Sequence, residues 1–236
     1  MYVVILCGGK GTRLMEETKL IPKPLVKIGN KPILWHIIKY YSSFNYRNFI
    51  LAAGYKHSLI KKYFMMNPIK GCKIKTVFTG KETLTGGRLL RLKKFFKNNE
   101  TFMMTYGDGL SNVNIRKLVN YHKKNNKIAT VTAVRPPLRF GELEIANSNL
   151  VKKFKEKTQT SVSWINGGFF VLNSDIFKYI KGDSTIFEKD PIIKLTKSKK
   201  LMAYKHYSFW QCMDTLRDKK LLQKIWKTKK PPWKIW

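Results

Sequence analysis

The sequence predicts an α/β domain built on a mostly parallel, mixed central sheet flanked by helices. Three observations predict it. Short, continuous apolar runs recur along the chain, helical patterns separate them, and an unusually long glycine-rich connection follows the first run. Continuous apolar strands suit a sheet covered on both faces, and alternation with helices suits right-handed crossovers.

The elements follow in order. Residues 2–7 (YVVILC) are the first strand, and 48–53 (NFILAA), 102–106 (FMMTY) and 128–134 (IATVTAV) are the next. Pro32 takes the first turn of a helix that continues through ILWHIIKYYSSF. Residues 57–64, 86–97 and 114–124 also read as helices. LEIANSNLVKKFKEK reads as a hairpin that turns at Asn147, Ser148 and Asn149, and FFVL is a strand. Helices over 174–181 and 185–198 precede an amphipathic tail from Asp214 to Lys227, with Leu216, Leu221, Leu222 and Ile225 at core spacing. No internal repeat, low-complexity linker or domain boundary is evident, so 1–236 reads as one domain.

Composition bounds the class. The chain has 236 residues, 43% of them hydrophobic, which is enough for a sizeable core. No apolar run reaches the length of a membrane span, and the start has no basic stretch before its short apolar run. Cys7, Cys72 and Cys212 are odd in number and lack metal-type spacing, which suits reduced thiols in the cytoplasm. The net charge of +33 would attract polyanions. The excess is scattered as Lys pairs without any nucleic-acid module motif, so no nucleic-acid or membrane partner is assigned and a solvated Lys-rich surface is preferred.

The connection from Cys7 to Lys31 is the oddity, since such loops usually take about two to six residues. Ligands bind at the carboxyl ends of parallel strands, so a long loop there points to function. It is not a dinucleotide fingerprint, because Leu14 stands where the third glycine belongs, and no Walker A pattern occurs anywhere. Gly8, Gly9 and Gly11 would let backbone approach a phosphate. Arg13 would add a fixed fork, and Lys23, between Pro22 and Pro24, a point charge. The glycine cluster alone leaves a phosphate site and a plain flexible turn at even odds.

GGKGTRL followed by PKPLVKIGNKPIL resembles the signature of the sugar-phosphate nucleotidyltransferases. WHIIKYY, AAGYK, TGGRL, TYGDGL, RFGELEI, FKEK, WINGGFFVL, FWQCMDTLRDK and PPWKIW follow in order, so the resemblance covers nearly the whole chain. The TGGR and FWQCMDTLRDK blocks and the PWK ending are most similar to the branch that acts on glucose 1-phosphate with CTP.

The resemblance implies a nucleotide-diphospho-sugar transferase fold of Rossmann-like type. It implies cytidylyl transfer from CTP to α-D-glucose 1-phosphate, releasing CDP-glucose and pyrophosphate for O-antigen lipopolysaccharide. Arg13 and Lys23 are then the catalytic charge stabilisers. Leu6, Gly8, Gly9, Gly11, Thr12, Arg13, Lys23, Thr85, Gly87, Arg88 and Gly107 are nucleotide contacts, with Thr85 or Arg88 addressing the base edge. Gly141, Glu156, Lys157, Asn166 and Gly167 form the sugar-phosphate pocket, and Asp108 and Asp214 share a Mg²⁺.

Bland readings stand beside these: Asp108 as a turn residue, Asp214 as a helix N-cap, TGGR as a helix cap with glycines, and Glu156 as a surface ion pair. Two departures from the family pattern stand out. The stretch between Tyr63-Phe64 and Thr76–Gly80 is short, in a region near subunit contacts in relatives, which leaves a homo-oligomer open. FKEKT has Thr158 where the family has Pro. Two rivals remain: the same fold with another nucleotide or sugar phosphate, and a non-catalytic relative that binds anions or a partner.

Overall fold

The computed structural model describes residues 1–136, 142–155 and 163–236. In chain order the strands are β1 (Tyr2–Cys7), β2 (Lys27–Ile28), β3 (Lys31–Pro32), β4 (Asn48–Ala53), β5 (Lys73–Phe78), β6 (Thr101–Tyr106) and β7 (Gly109–Ser111). After them come β8 (Ala129–Val134), β9 (Glu142–Ile145), β10 (Val151–Lys155), β11 (Ile165–Asn173), β12 (Leu201–His206) and β13 (Trp210–Cys212). The helices are α1 (Met15–Thr18), α2 (Ile33–Ser43), α3 (His57–Met66), α4 (Thr85–Leu90), α5 (Ile115–Asn125), α6 (Asp190–Lys197) and α7 (Leu216–Trp226). No described helix is long and apolar enough to cross a membrane.

Among the described residues, seven strands form the main sheet in the order β12-β8-β11-β6-β1-β4-β5. β11 runs antiparallel to β6 and β8, and the other pairings are parallel. β1 sits centrally and explains its own composition. Val3, Ile5 and Cys7 enter one hydrophobic cluster, and Val4 and Leu6 enter another. Successive side chains of a strand point to opposite faces, so a strand buried on both must be apolar throughout.

The two edge strands, β5 (KIKTVF) and β12 (LMAYKH), are absent from the sequence reading. Each carries lysine and is only half-buried, so neither shows a continuous apolar run. Edge lysines also guard open strand edges against pairing with another chain.

Three predicted helices are shorter than expected. The 86–97 stretch splits into α4 and a tight turn over Lys93–Phe95. Leu89 and Leu92 are both fully buried, and the Leu92 N–H donates to the Leu89 carbonyl at 3.0 Å, which tightens the chain to three-residue spacing. The helix expected from 185 begins only at Asp190, with Pro191 in its first turn, where proline belongs. Residues 174–179 form a tight 3₁₀ turn, not an α-helix. In α7, Leu222 is buried and Leu216 and Ile225 pack against the core, but Leu221 is exposed.

The long first connection has structure of its own: turns over Thr12–Leu14 and Lys23–Leu25, the single-turn α1, and the small β2–β3 ribbon. α3 and β5 are joined by only residues 67–72, the shortened stretch. Cys7, Cys72 and Cys212 are unbridged.

Candidate active site

A cleft of about 540 Å³ opens over the carboxyl ends of β1 and β6. Leu6 lines it from the end of β1, and Gly8, Gly9, Gly11, Thr12, Arg13 and Lys23 from the first connection. Thr85, Arg88, Gly107, Asp108 and Asp214 line it from elsewhere. The chain therefore brings residues from both halves of the sequence to one place.

Each is held for a local reason. Gly11 has φ +68°, a conformation that favours glycine, and its carbonyl accepts the Leu14 N–H at 3.0 Å as the chain turns. Leu14, in the place of a third fingerprint glycine, is fully buried and anchors the turn. Lys23 begins a tight turn in which the Leu25 N–H donates to Pro22 O at 2.8 Å and the Val26 N–H to Lys23 O at 3.0 Å. The turn fixes the lysine backbone and leaves only the side chain to move.

Lys23 Nζ donates to Asp108 Oδ2 and to Asp214 Oδ1, at 2.6 Å each. Arg13 Nη1 lies 2.9 Å from Asp214 Oδ2. Burial works against the Lys23 charge, but the two carboxylates outweigh it and hold the ammonium above the usual lysine range.

A small ribbon joins the two carboxylates. β7 pairs antiparallel with β13, setting Gly109 opposite Cys212, and the Met213 N–H donates to the Asp108 carbonyl at 2.8 Å. The cap of α7 is not Asp214. Thr215 is the N-cap, and its side chain and Asp218 form a capping box. Asp218 Oδ2 also accepts the Asp214 N–H at 3.0 Å, so the Asp214 side chain is left to face the cleft.

Arg88 is buried and bolts the cleft wall together. Nη1 donates to Thr79 Oγ1 at 3.0 Å and Gly80 O at 2.6 Å, and Nη2 to Gly8 O at 3.0 Å and Lys81 O at 3.1 Å. Gly8 O also accepts the Tyr55 N–H at 3.0 Å. A Cβ on Gly8 would stand 2.3 Å from Arg88 Nη1, which explains the glycine.

Several sequence-predicted residues lie elsewhere. The TGGR block is the first turn of α4, not a loop before it. Gly87 does not line the cleft. It packs on the backbone of Asp183, where a Cβ would meet Asp183 O at 2.4 Å. The N–H groups of Gly86 and Gly87 both point at Thr185 O, at 2.9 and 3.3 Å, so they are turned away from a nucleotide base.

Asn166 and Gly167 lie beyond the cleft wall. Asn166 Nδ2 donates to the Tyr106 hydroxyl at 3.4 Å, and Gly167 O accepts the Trp210 indole N–H at 2.7 Å. Gly141, Glu156 and Lys157 fall outside the described residues, as does Thr158.

The sequence reading also omits residues that the fold brings here. Glu188 accepts the Thr85 hydroxyl at 2.6 Å and the Tyr106 hydroxyl in a short hydrogen bond. Burial first, and then the Glu188 charge, keep the Tyr106 phenol protonated well above its ordinary range. Tyr106 stands directly before the GDG block and was findable by position. Glu188 precedes a helix with no motif to mark it.

Asp108 and Asp214 fit a small divalent cation, because both already reach one cationic atom from the cleft wall. Among the described residues no third His, Cys, Asp or Glu joins them. That suits a metal taking one or two protein carboxylates and completing its shell with phosphates and water.

A family model described as "Nucleotidyl transferase" matches residues 2–218. The chain is 43% identical over 257 aligned positions to the glucose-1-phosphate cytidylyltransferase of Salmonella typhimurium, covering 100% of both chains. It is 42% identical to the probable glucose-1-phosphate cytidylyltransferase of Bacillus subtilis, with the same coverage. In fold it is similar to HddC from Yersinia pseudotuberculosis, with a TM-score of 0.77 at 24% identity, over 96% of this chain and 99% of that one.

Proposed function

We infer that this chain, which belongs to the nucleotidyl transferase family, transfers a cytidylyl group from CTP to α-D-glucose 1-phosphate, giving CDP-glucose and pyrophosphate. The observation that carries this is the full-length identity of 43% with a curated enzyme of that activity. Enzymes of the family join a nucleoside triphosphate to a sugar phosphate.

The mechanism follows from charge. A phosphate oxygen of glucose 1-phosphate, already anionic, attacks the α-phosphorus of CTP. The bond from that phosphorus to the oxygen bridging to the β-phosphorus breaks, and pyrophosphate leaves with the electron pair. No general base is needed, so the work is positioning and neutralisation of charge.

Gly8, Gly9, Gly11 and Thr12 bring backbone close to the triphosphate. Arg13 presents its fork to the phosphates and Lys23 its ammonium to the reacting phosphoryl group. Their place on one wall of the cleft supports these roles. Leu6, Thr85, Arg88 and Gly107 sit on the wall where the nucleoside would lie. Asp108 and Asp214 hold a divalent cation, read as Mg²⁺, which when bound screens the phosphates and the leaving pyrophosphate. We assign Glu156, Lys157, Gly141, Asn166 and Gly167 to glucose 1-phosphate from the family pattern. The reaction belongs in the cytoplasm, where CTP is available, and would supply a sugar nucleotide for surface polysaccharide.

Phosphorus NMR of the protein with CTP, glucose 1-phosphate and Mg²⁺ tests the reading. Appearance of CDP-glucose and pyrophosphate in equal amounts is the expected result. Absence of both with folded protein would overturn it.

A further inference from the structure

We infer that Lys23 is the resident counter-ion of the Asp108–Asp214 pair, and that a divalent cation gains those carboxylates only after an anionic ligand draws Lys23 away. The inference rests on the reading of Asp108 and Asp214 as the cation's ligands.

Among the described residues, the geometry leaves the cleft no open anionic site. The Lys23 ammonium, mostly buried, makes two charge-assisted bonds of 2.6 Å, one to each carboxylate. Arg13 takes the other oxygen of Asp214 at 2.9 Å. Two cations and two carboxylates cancel. The rest of the cleft does not restore a negative field: among its described lining residues, the cations Lys10, Lys81 and Arg88 outnumber the one further carboxylate, Glu82. A free dication would enter a net positive cleft and meet carboxylates whose oxygens are already engaged.

A triphosphate reverses each of these conditions. It brings several negative charges and many acceptor oxygens. The Arg13 side chain is 73% exposed, so its fork has room to turn from Asp214 to the phosphates. Pro22 and Pro24 hold the Lys23 backbone, so the flexible stem alone carries the ammonium from carboxylate to phosphate. The vacated carboxylates then supply the negative field the metal requires. Metal and nucleotide therefore strengthen each other's binding, and by linkage the coupling is equal in both directions. The same lysine that neutralises the reacting phosphoryl group sets the order in which the site assembles.

Mn²⁺ binding to the full-length protein, read by the paramagnetic resonance of the free ion with no nucleotide present, tests this. The wild type takes up little Mn²⁺. Lys23→Gln gains affinity by roughly ten- to a hundredfold, the usual range of coupling between sites, and Asp108→Asn in the Lys23→Gln background removes the gain. Tight Mn²⁺ uptake by nucleotide-free wild type, abolished by Asp108→Asn, would overturn the inference, as would a folded Lys23→Gln protein with no gain. If Lys23→Gln melts early, the wild-type arm decides alone, and Arg13→Gln, at an exposed side chain, gives a smaller gain in a folded protein. The premise fails separately: wild type that holds no Mn²⁺ even with CTP, beyond what CTP alone binds, would remove the metal reading itself.

Discussion

The carbonyl of Asp108 accepts the backbone N–H of Met213 at 2.8 Å, and this bond places two carboxylates from distant parts of the chain around one ammonium. The β7–β13 ribbon next to it keeps the register, with Gly109 opposite Cys212.

Separate residues cap α7 and face the cleft, and substitution should separate them too. Asp214→Asn and Asp108→Asn should each lower turnover by two orders of magnitude or more, the scale of losing charge stabilisation at a reacting centre, while thermal melting stays within a few degrees of wild type. Thr215→Ala should do the reverse. It removes the N-cap at a cost of about 1 kcal/mol, read by denaturant unfolding, with the cleft carboxylates retained.

Neighbouring glycines should differ sharply. A Cβ on Gly8 meets the Arg88 guanidinium at 2.3 Å, whereas one on Gly9 has nothing within 4 Å. Gly8→Ala should therefore destabilise by about 1–3 kcal/mol, the usual cost of overpacking. Gly9→Ala should leave the melting temperature unchanged, and any loss it shows should fall on nucleotide affinity.

Acid should unfold the protein through two buried histidines. Burial pushes His36 down to about 4, against hydrogen bonding to the Ile28 and Lys31 backbone, and burial alone pushes His122 down to about 4. Their folded values lie below the unfolded value near 6.5, so the unfolded chain takes up protons first. Stability is then full above about pH 7, falls as the pH drops from 6.5 toward 4, and loses nothing further from these groups below that. Each ring contributes up to about 2–3 kcal/mol. Denaturant midpoints measured from pH 8 to pH 4 check this, and His122→Gln should flatten part of the slope.

What the sequence revealed depended on where the cause lay. β1, β4, β6 and β8 were legible because burial on both faces leaves near-continuous apolar runs, broken in β6 and β8 only by threonine. β5 and β12 were not, because edge strands carry lysine and are stabilised by their neighbours. α4 and α6 were overextended because periodicity does not register a three-residue tightening at Leu92 or a start delayed to Asp190.

In the cleft, the GGKGTRL and PKP blocks pointed to lining residues through their resemblance to a family signature, since the local glycine pattern left the question open. The Arg88 bond to the Gly8 carbonyl, the Glu188 clamp on Thr85 and Tyr106, and the Lys23 bridge are contacts across 80 or more residues. Residue type and spacing carry no trace of such contacts. The bland alternative for Asp214, a helix cap, was settled only by seeing Thr215 in that role.

The central claim is the choice of CTP with glucose 1-phosphate. Its most direct test is kcat/KM for pyrophosphate release with glucose 1-phosphate and each of CTP, UTP, GTP and dTTP. The account predicts CTP ahead of every other nucleotide by at least about tenfold, or about 1.4 kcal/mol of transition-state binding. A higher value for any other nucleotide, or no turnover with any of the four, would contradict it.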